Sequence, residues 1–201
     1  MKSIIKIIKR SLSFFRRLKF FANRKIKIGK NIYIGPRVKL KAIDGGSIII
    51  GDNCEINECT KIFSGGGKII IEENCMINDY VQIGAMEADI TIHSNSSINS
   101  FCFISSRGSL TIGSNVAIGP QVVIITDNHK FSDKNIPIKH QGDIKGKIII
   151  GDDVWVGAGC KILSGVKIGN GVVVGAGAVV TKNLEPFKVY AGVPAKFLKD
   201  R

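Results

Sequence analysis

The chain has 201 residues, of which 44% are hydrophobic and 22% charged, a balance that suits one domain with short appendages. Its formal charge of +13 is unevenly spread: residues 1–43 hold fourteen Lys or Arg and no acid, whereas residues 44–201 hold fifteen against sixteen acids. The body of the chain is therefore not a general polyanion binder, and no nucleic-acid partner is expected.

At about 100° per residue, residues 3–18 divide into two halves. Ile4, Ile5, Ile7, Ile8, Leu12, Phe14, Phe15 and Leu18 share one, and Lys6, Lys9, Arg10, Arg16 and Arg17 share the other. Residues 1–25 are assigned as a basic amphipathic helix with two roles open. Residues 1–22 would lie on an anionic membrane surface, or the helix would cap the open edge of the domain that follows. Charges interrupt the segment too often for a membrane span. No unbroken apolar core precedes a small-residue cleavage site, so no secretory signal is expected. The expected location is cytoplasmic, peripheral on the inner face of the cell membrane.

From Ile28 the sequence keeps a six-residue beat. Ile28-Gly29, Ile34-Gly35, Ile50-Gly51, Ile56, Ile62, Ile71, Ile77 and Ile83-Gly84 carry it, and it runs on to Val174-Gly175 and Val180. A fixed short period is the mark of a solenoid. Within each hexad the first position is a branched aliphatic and the fifth is small or apolar, as at Val38, Val81, Val122 and Val172. Two inward positions per six residues suit a short strand and a sharp turn. Three such edges close a triangular coil of about eighteen residues, stacked at roughly 4.8 Å. Gly, Asn and Asp at Gly51-Asp52-Asn53, Ser114-Asn115 and Gly169-Asn170-Gly171 supply the corners. Four of the five cysteines, Cys54, Cys75, Cys102 and Cys160, fall on the inward fifth position and read as reduced core thiols; only Cys59 leaves that register. The fold class is all-β, a triangular solenoid over residues 26–190, with a tail over 191–201.

The coils carry a small surplus at Asp44-Gly45-Gly46, Gly65-Gly66-Gly67, Glu87-Ala88-Asp89 and Arg107-Gly108-Ser109, read as stacked corner bulges with a structural role only. The step from Ile112 to Ile150 is 38 residues, far too long for a bulge, so residues 126–147 form an inserted loop. That loop carries His129 in Thr126-Asp127-Asn128-His129. Imidazole is the side chain suited to taking a proton near neutral pH, and Asp127 is placed to orient it; a plain surface histidine is the other reading. His93 and His140 read as structural or solvent-facing. A zinc site shared between subunits by His93 and His129 lacks a third histidine, so no metal is expected.

Three stretches carry a resemblance. They are Ile150-Gly151-Asp152-Asp153-Val154-Trp155-Val156-Gly157-Ala158-Gly159, then Val174-Gly175-Ala176-Gly177-Ala178-Val179-Val180-Thr181-Lys182, then Ala191-Gly192-Val193-Pro194-Ala195-Lys196. Together they resemble the hexapeptide-repeat acyltransferases, and more narrowly the sugar O-acetyltransferases. The resemblance implies a left-handed parallel β-helix, a homotrimer, and acetyl-CoA held between neighbouring subunits. It implies that His129 is the general base and that Asn99 lies by the acceptor hydroxyl. Backbone amides at Gly157-Ala158 and Ala176 would hold the pantetheine arm, with Thr181 and Lys182 beside it and Trp155 lining the cleft. Lys196 and Lys199 would meet the adenosine phosphates, where relatives often carry the more tightly gripping arginine. The implied activity is transfer of acetyl to a sugar hydroxyl in surface polysaccharide or lipopolysaccharide assembly. The alternatives are acetylation of an amino group on a nucleotide-linked sugar, a metal-dependent hydratase of the γ-carbonic anhydrase type, and a noncatalytic scaffold.

Overall fold

A computed structural model describes Ser13, residues 15–20 and residues 23–201. Three parallel sheets form the walls of a left-handed β-helix. The first has seven strands, from Ile26–Ile28 to Lys167–Ile168, and the third has seven, from Lys39–Ala42 to Val179–Val180. The second has nine, beginning at Tyr33–Ile34 and ending with Lys188–Ala191 and Lys196–Asp200. Successive coils pair in strict register, as in Ile90↔Ile69 and Ile90↔Leu110, so each aliphatic sits directly over its counterpart. This register stacks the first positions of the hexads into one interior column per wall, and on the second wall Ile34, Ile56, Ile77, Ile98 and Ile118 are all buried. The fifth-position cysteines are buried too, and burial pushes the Cys102 and Cys160 thiols up, away from reactive thiolate.

Corner chemistry differs around the triangle. Between the first and second sheets, Asn31, Asn53, Asn74, Asn95 and Asn115 take left-handed backbone at φ of 52° to 60°, which asparagine tolerates. Between the second and third sheets the same conformation is held by Arg37, Cys59, Tyr80, Phe101 and Gln121, residues that gain nothing from it. Stacking enforces it: the Phe101 amide donates to Asp79 O at 3.1 Å and the Gln121 amide to Ser100 O at 3.0 Å. Tyr80 and Phe101 lie face to face there, centroids 5.1 Å apart.

The amino-terminal end of the solenoid is closed by the helical residues at 13 and 15–20. Ser13 is buried, accepts the Ile34 amide at 2.7 Å and donates to Ile32 O at 3.3 Å. Arg16 donates to Ile34 O at 3.2 Å, Arg17 to Gly29 O at 2.9 Å and Lys19 to Val38 O at 3.3 Å, while Phe20 enters the core. The cationic side chains of this stretch thus satisfy edge carbonyls that no further coil would reach. Of the rest of the expected 1–25 helix, residues 23–25 are not helical but turn into the first strand, and residues 1–12, 14, 21 and 22 lie outside the described residues. At the other end Lys196–Asp200 folds back antiparallel on Lys188–Ala191, and Arg201 reaches Asp153 Oδ2 at 2.8 Å.

Candidate active site

The long insertion leaves the third sheet after Val123–Ile125 and opens as a two-stranded antiparallel ribbon, Asp127–His129 against Asp143–Lys145. Its root is Thr126, fully buried, whose carbonyl accepts the Gly146 amide at 2.8 Å and the Ser164 hydroxyl at 2.8 Å. Its tip is stapled by Gln141, whose side chain donates to Asp133 O and Ile136 O at 2.7 Å each. Phe131, Ile136, Ile138 and Ile144 stand exposed along it.

In the ribbon His129 lies directly opposite Asp143. Directly opposed side chains in an antiparallel pair start about 5 Å apart, and here they meet: His129 Nδ1 is 2.6 Å from Asp143 Oδ1. A hydrogen on Nδ1 donated to that carboxylate leaves the Nε2 lone pair free to accept a proton. The side chain of His129 is 69% exposed and that of Asp143 17%, so an open imidazole stands against a shielded carboxylate. Asp127, expected to orient the ring, does not: its carboxylate faces Arg107, 3.9 Å from Nε. Two residues along a strand are farther apart than a cross-strand pair, which is why the ring meets Asp143 instead. No spacing along the sequence joins Asp143 to His129, because only the pairing of the two insertion arms brings residues 14 apart together; the run Asp143-Ile144-Lys145 that closes the insertion is the one local sign of it.

Asn99 follows the strand Ser97–Ile98 and stands at the corner between the second and third sheets. There it is the last rung of a carboxamide ladder, with Asn57 donating to Asn78 at 3.2 Å and Asn78 to Asn99 Oδ1 at 3.3 Å. Gly157, Ala158 and Ala176 occupy the same corner in later coils. Lower down that column the amides are occupied, Glu58 N by Asp79 Oδ1 at 2.9 Å and Ser100 N by Asn99 Oδ1 at 2.9 Å. The amides of Ala158 and Ala176 meet no acceptor among the described residues, and both alanines are exposed. Trp155, 59% exposed, flanks this column on the second sheet. Lys196 pairs with Ala191 just beyond the column, and Lys199 with Val189. Thr181 and Lys182 are exposed past Val179–Val180, at the corner that bears the insertion.

The expected residues therefore form two groups within one chain. His129, Asp127, Thr181 and Lys182 are at one corner; Asn99, Gly157, Ala158 and Ala176 are at another. Between the two corners lies one six-residue edge of the coil, about 20 Å long at 3.3 Å per residue.

Gly157 shows how tightly the amide column is built. A Cβ there would stand 2.6 Å from Ala176 N and 2.8 Å from Val174 O. Gly157→Ala is expected to cost roughly 1–3 kcal/mol by overpacking and to lower the melting temperature by several degrees, which calorimetry would register.

Among the described residues no group of three or more His, Cys, Asp and Glu is arranged to hold a metal ion. His93 is engaged by Glu72, 3.0 Å from Nδ1 to Oε1.

Residues 147–182 match the family model for the bacterial transferase hexapeptide, six repeats. Over 69 residues the chain is 44% identical to a probable macrolide acetyltransferase of Lysinibacillus sphaericus, covering 34% of this chain and 38% of that protein. Over 97 residues it is 35% identical to the galactoside O-acetyltransferase of Escherichia coli, covering 46% of this chain and 44% of that one. The chain thus spans less than half the length of these curated relatives. Among solved structures, an N-acyltransferase from Bacillus cereus in complex with dTDP and coenzyme A superposes with a TM-score of 0.60 at 26% identity, covering 87% of this chain and 84% of that one. Over residues 147–182 the chain thus carries the hexapeptide repeat of bacterial transferases, and the relatives it resembles beyond that stretch are acyltransferases.

Proposed function

We propose that the protein transfers acetyl from acetyl-CoA to a sugar hydroxyl in surface polysaccharide or lipopolysaccharide assembly. The observation that carries this reading is the His129–Asp143 pair, 2.6 Å long through Nδ1, on a side chain that is 69% exposed. Nε2 takes the proton of the acceptor hydroxyl, and the freed oxygen attacks the thioester carbonyl. The amide near Gly157-Ala158 steadies the developing oxyanion. The C–S bond then breaks, and the imidazolium returns its proton to the departing thiolate. Asp143 stabilises the imidazolium between these events. The bare amides of Ala158 and Ala176 run parallel to the stack toward Lys196 and Lys199, which suits an elongated donor ending in phosphates; Trp155 walls the groove.

The two corner groups become one site when a second copy brings its insertion against the amide column of the first. A closed ring of three such copies satisfies every site. The galactoside O-acetyltransferase likeness supports a sugar hydroxyl as acceptor. The B. cereus N-acyltransferase, crystallised with dTDP and coenzyme A, supports acyl-CoA as donor and favours a second reading, acylation of an amine on a nucleotide-linked sugar. The protein acts at the cytoplasmic face of the membrane, approached through residues 1–22; among the described residues no helix is long and apolar enough to cross a bilayer.

The test is thiol release from acetyl-CoA against a panel of glycosides, nucleotide amino sugars and a macrolide. Acceptor-dependent release with glycosides is expected. Release only with amino sugars selects the second reading, and none with any acceptor removes both.

A further inference from the structure

We infer that Arg107 is a positioning residue for His129, acting through Asp143; the inference rests on the reading of His129 as general base. The corner bulges at Glu87-Ala88-Asp89 and Arg107-Gly108-Ser109 look like simple surplus in the sequence. In the structure they form the floor beneath the insertion. Arg107 Nη1 lies 2.9 Å from Asp143 Oδ2, while the other oxygen of the same carboxylate is 2.6 Å from His129 Nδ1. A carboxylate held at both oxygens has a fixed plane, and a ring hydrogen-bonded to it has a fixed tautomer and a fixed direction for its free nitrogen.

Arg107 is itself anchored. Its backbone amide donates to Thr126 Oγ1 at 3.0 Å, and the Gly108 amide donates to the same oxygen at 2.8 Å. The buried hydroxyl thus ties the corner bearing Arg107 to the root of the insertion bearing His129. Around the guanidinium stand Glu87, 3.6 Å from Nη1, and Asp127, 3.9 Å from Nε. Lys145 pairs with Glu87 and holds its carboxyl below the usual carboxylate range. Arg107 and Lys145 therefore face Glu87, Asp127 and Asp143, and an imidazolium at His129 brings the cluster to neutrality. The proton accepted during transfer is received without leaving a net charge.

An ion pair of purely structural value would be worth little at a surface and would not govern a ring tautomer. Nitrogen-15 imidazole spectra of the full chain, recorded without acceptor or acetyl-CoA, separate the two roles. In the parent protein His129 is expected as one Nδ1–H tautomer with a downfield, slowly exchanging proton. Arg107→Gln should erase that signature and lower turnover about ten- to a hundredfold, with the KM for acetyl-CoA unchanged. Arg107→Lys, which keeps charge but loses the planar fork, should retain part of both and serves alone if the Gln variant does not fold. An Nδ1–H signature undiminished from the parent in either variant, or full turnover with the signature lost, overturns the inference. An Arg107-dependent tautomer in a protein that acetylates nothing would uphold the positioning and sink the general base instead.

Discussion

Replacing His129 with alanine is expected to lower acetyl transfer at least a hundred- to ten-thousandfold, the range that loss of a general base commands. Nothing in the fold depends on that ring. It is 69% exposed, and among the described residues its one polar contact is to Asp143. Melting temperature and oligomeric state should therefore stay at parent values, so the loss can be read as chemistry. Asp143→Asn should follow in the same direction, because an amide can donate to Nδ1 and favour the tautomer whose Nε2 carries hydrogen. The measurement is single-turnover acetyl transfer beside calorimetry. Near-parental turnover in His129→Ala would end the proposed mechanism, whatever the acceptor.

Deleting residues 1–22 is expected to produce the largest change in stability. Ser13, Arg16, Arg17 and Lys19 are donors to the carbonyls of Ile32, Ile34, Gly29 and Val38, and Phe20 is 7% exposed. Loss of those bonds at about 1 kcal/mol each, with loss of a buried aromatic at about 2 kcal/mol, makes a deficit of several kcal/mol. For a chain of this size that corresponds to a fall of about 10 °C or more in melting temperature. The bared first coil would also offer unpaired strand edges to other molecules, so sedimentation should show self-association. An unchanged melting curve together with a monodisperse species would refute the capping role. The same truncation, tested on anionic vesicles at low and high salt, reads any lipid attachment separately.

Much of the architecture was legible because the hexad period maps one residue type onto one direction in space. Ile34, Ile56, Ile77 and Ile98 repeat the same environment coil after coil, so pattern and packing are the same statement. Corners were legible only where asparagine or glycine advertised them. Tyr80 and Phe101 take left-handed backbone because flanking coils hold them there, and no local preference reveals that. The site divides the same way. His129 could be singled out by its place in the one long interruption of the beat. Its partner could not, because Asp143 and Arg107 arrive from a returning strand and from an earlier coil, 14 and 22 positions away along the chain. Contacts made by stacking and by strand return are set by the closed geometry of the whole coil.

The insertion leaves the fifth strand of the third sheet. Four rung spacings at about 4.8 Å therefore set His129 about 20 Å above the capped end. The lower coils act as a pedestal of fixed height. If that end rests against a bilayer, a sugar attached directly to the headgroup is out of range, and only a glycan that rises several units from its anchor meets the imidazole.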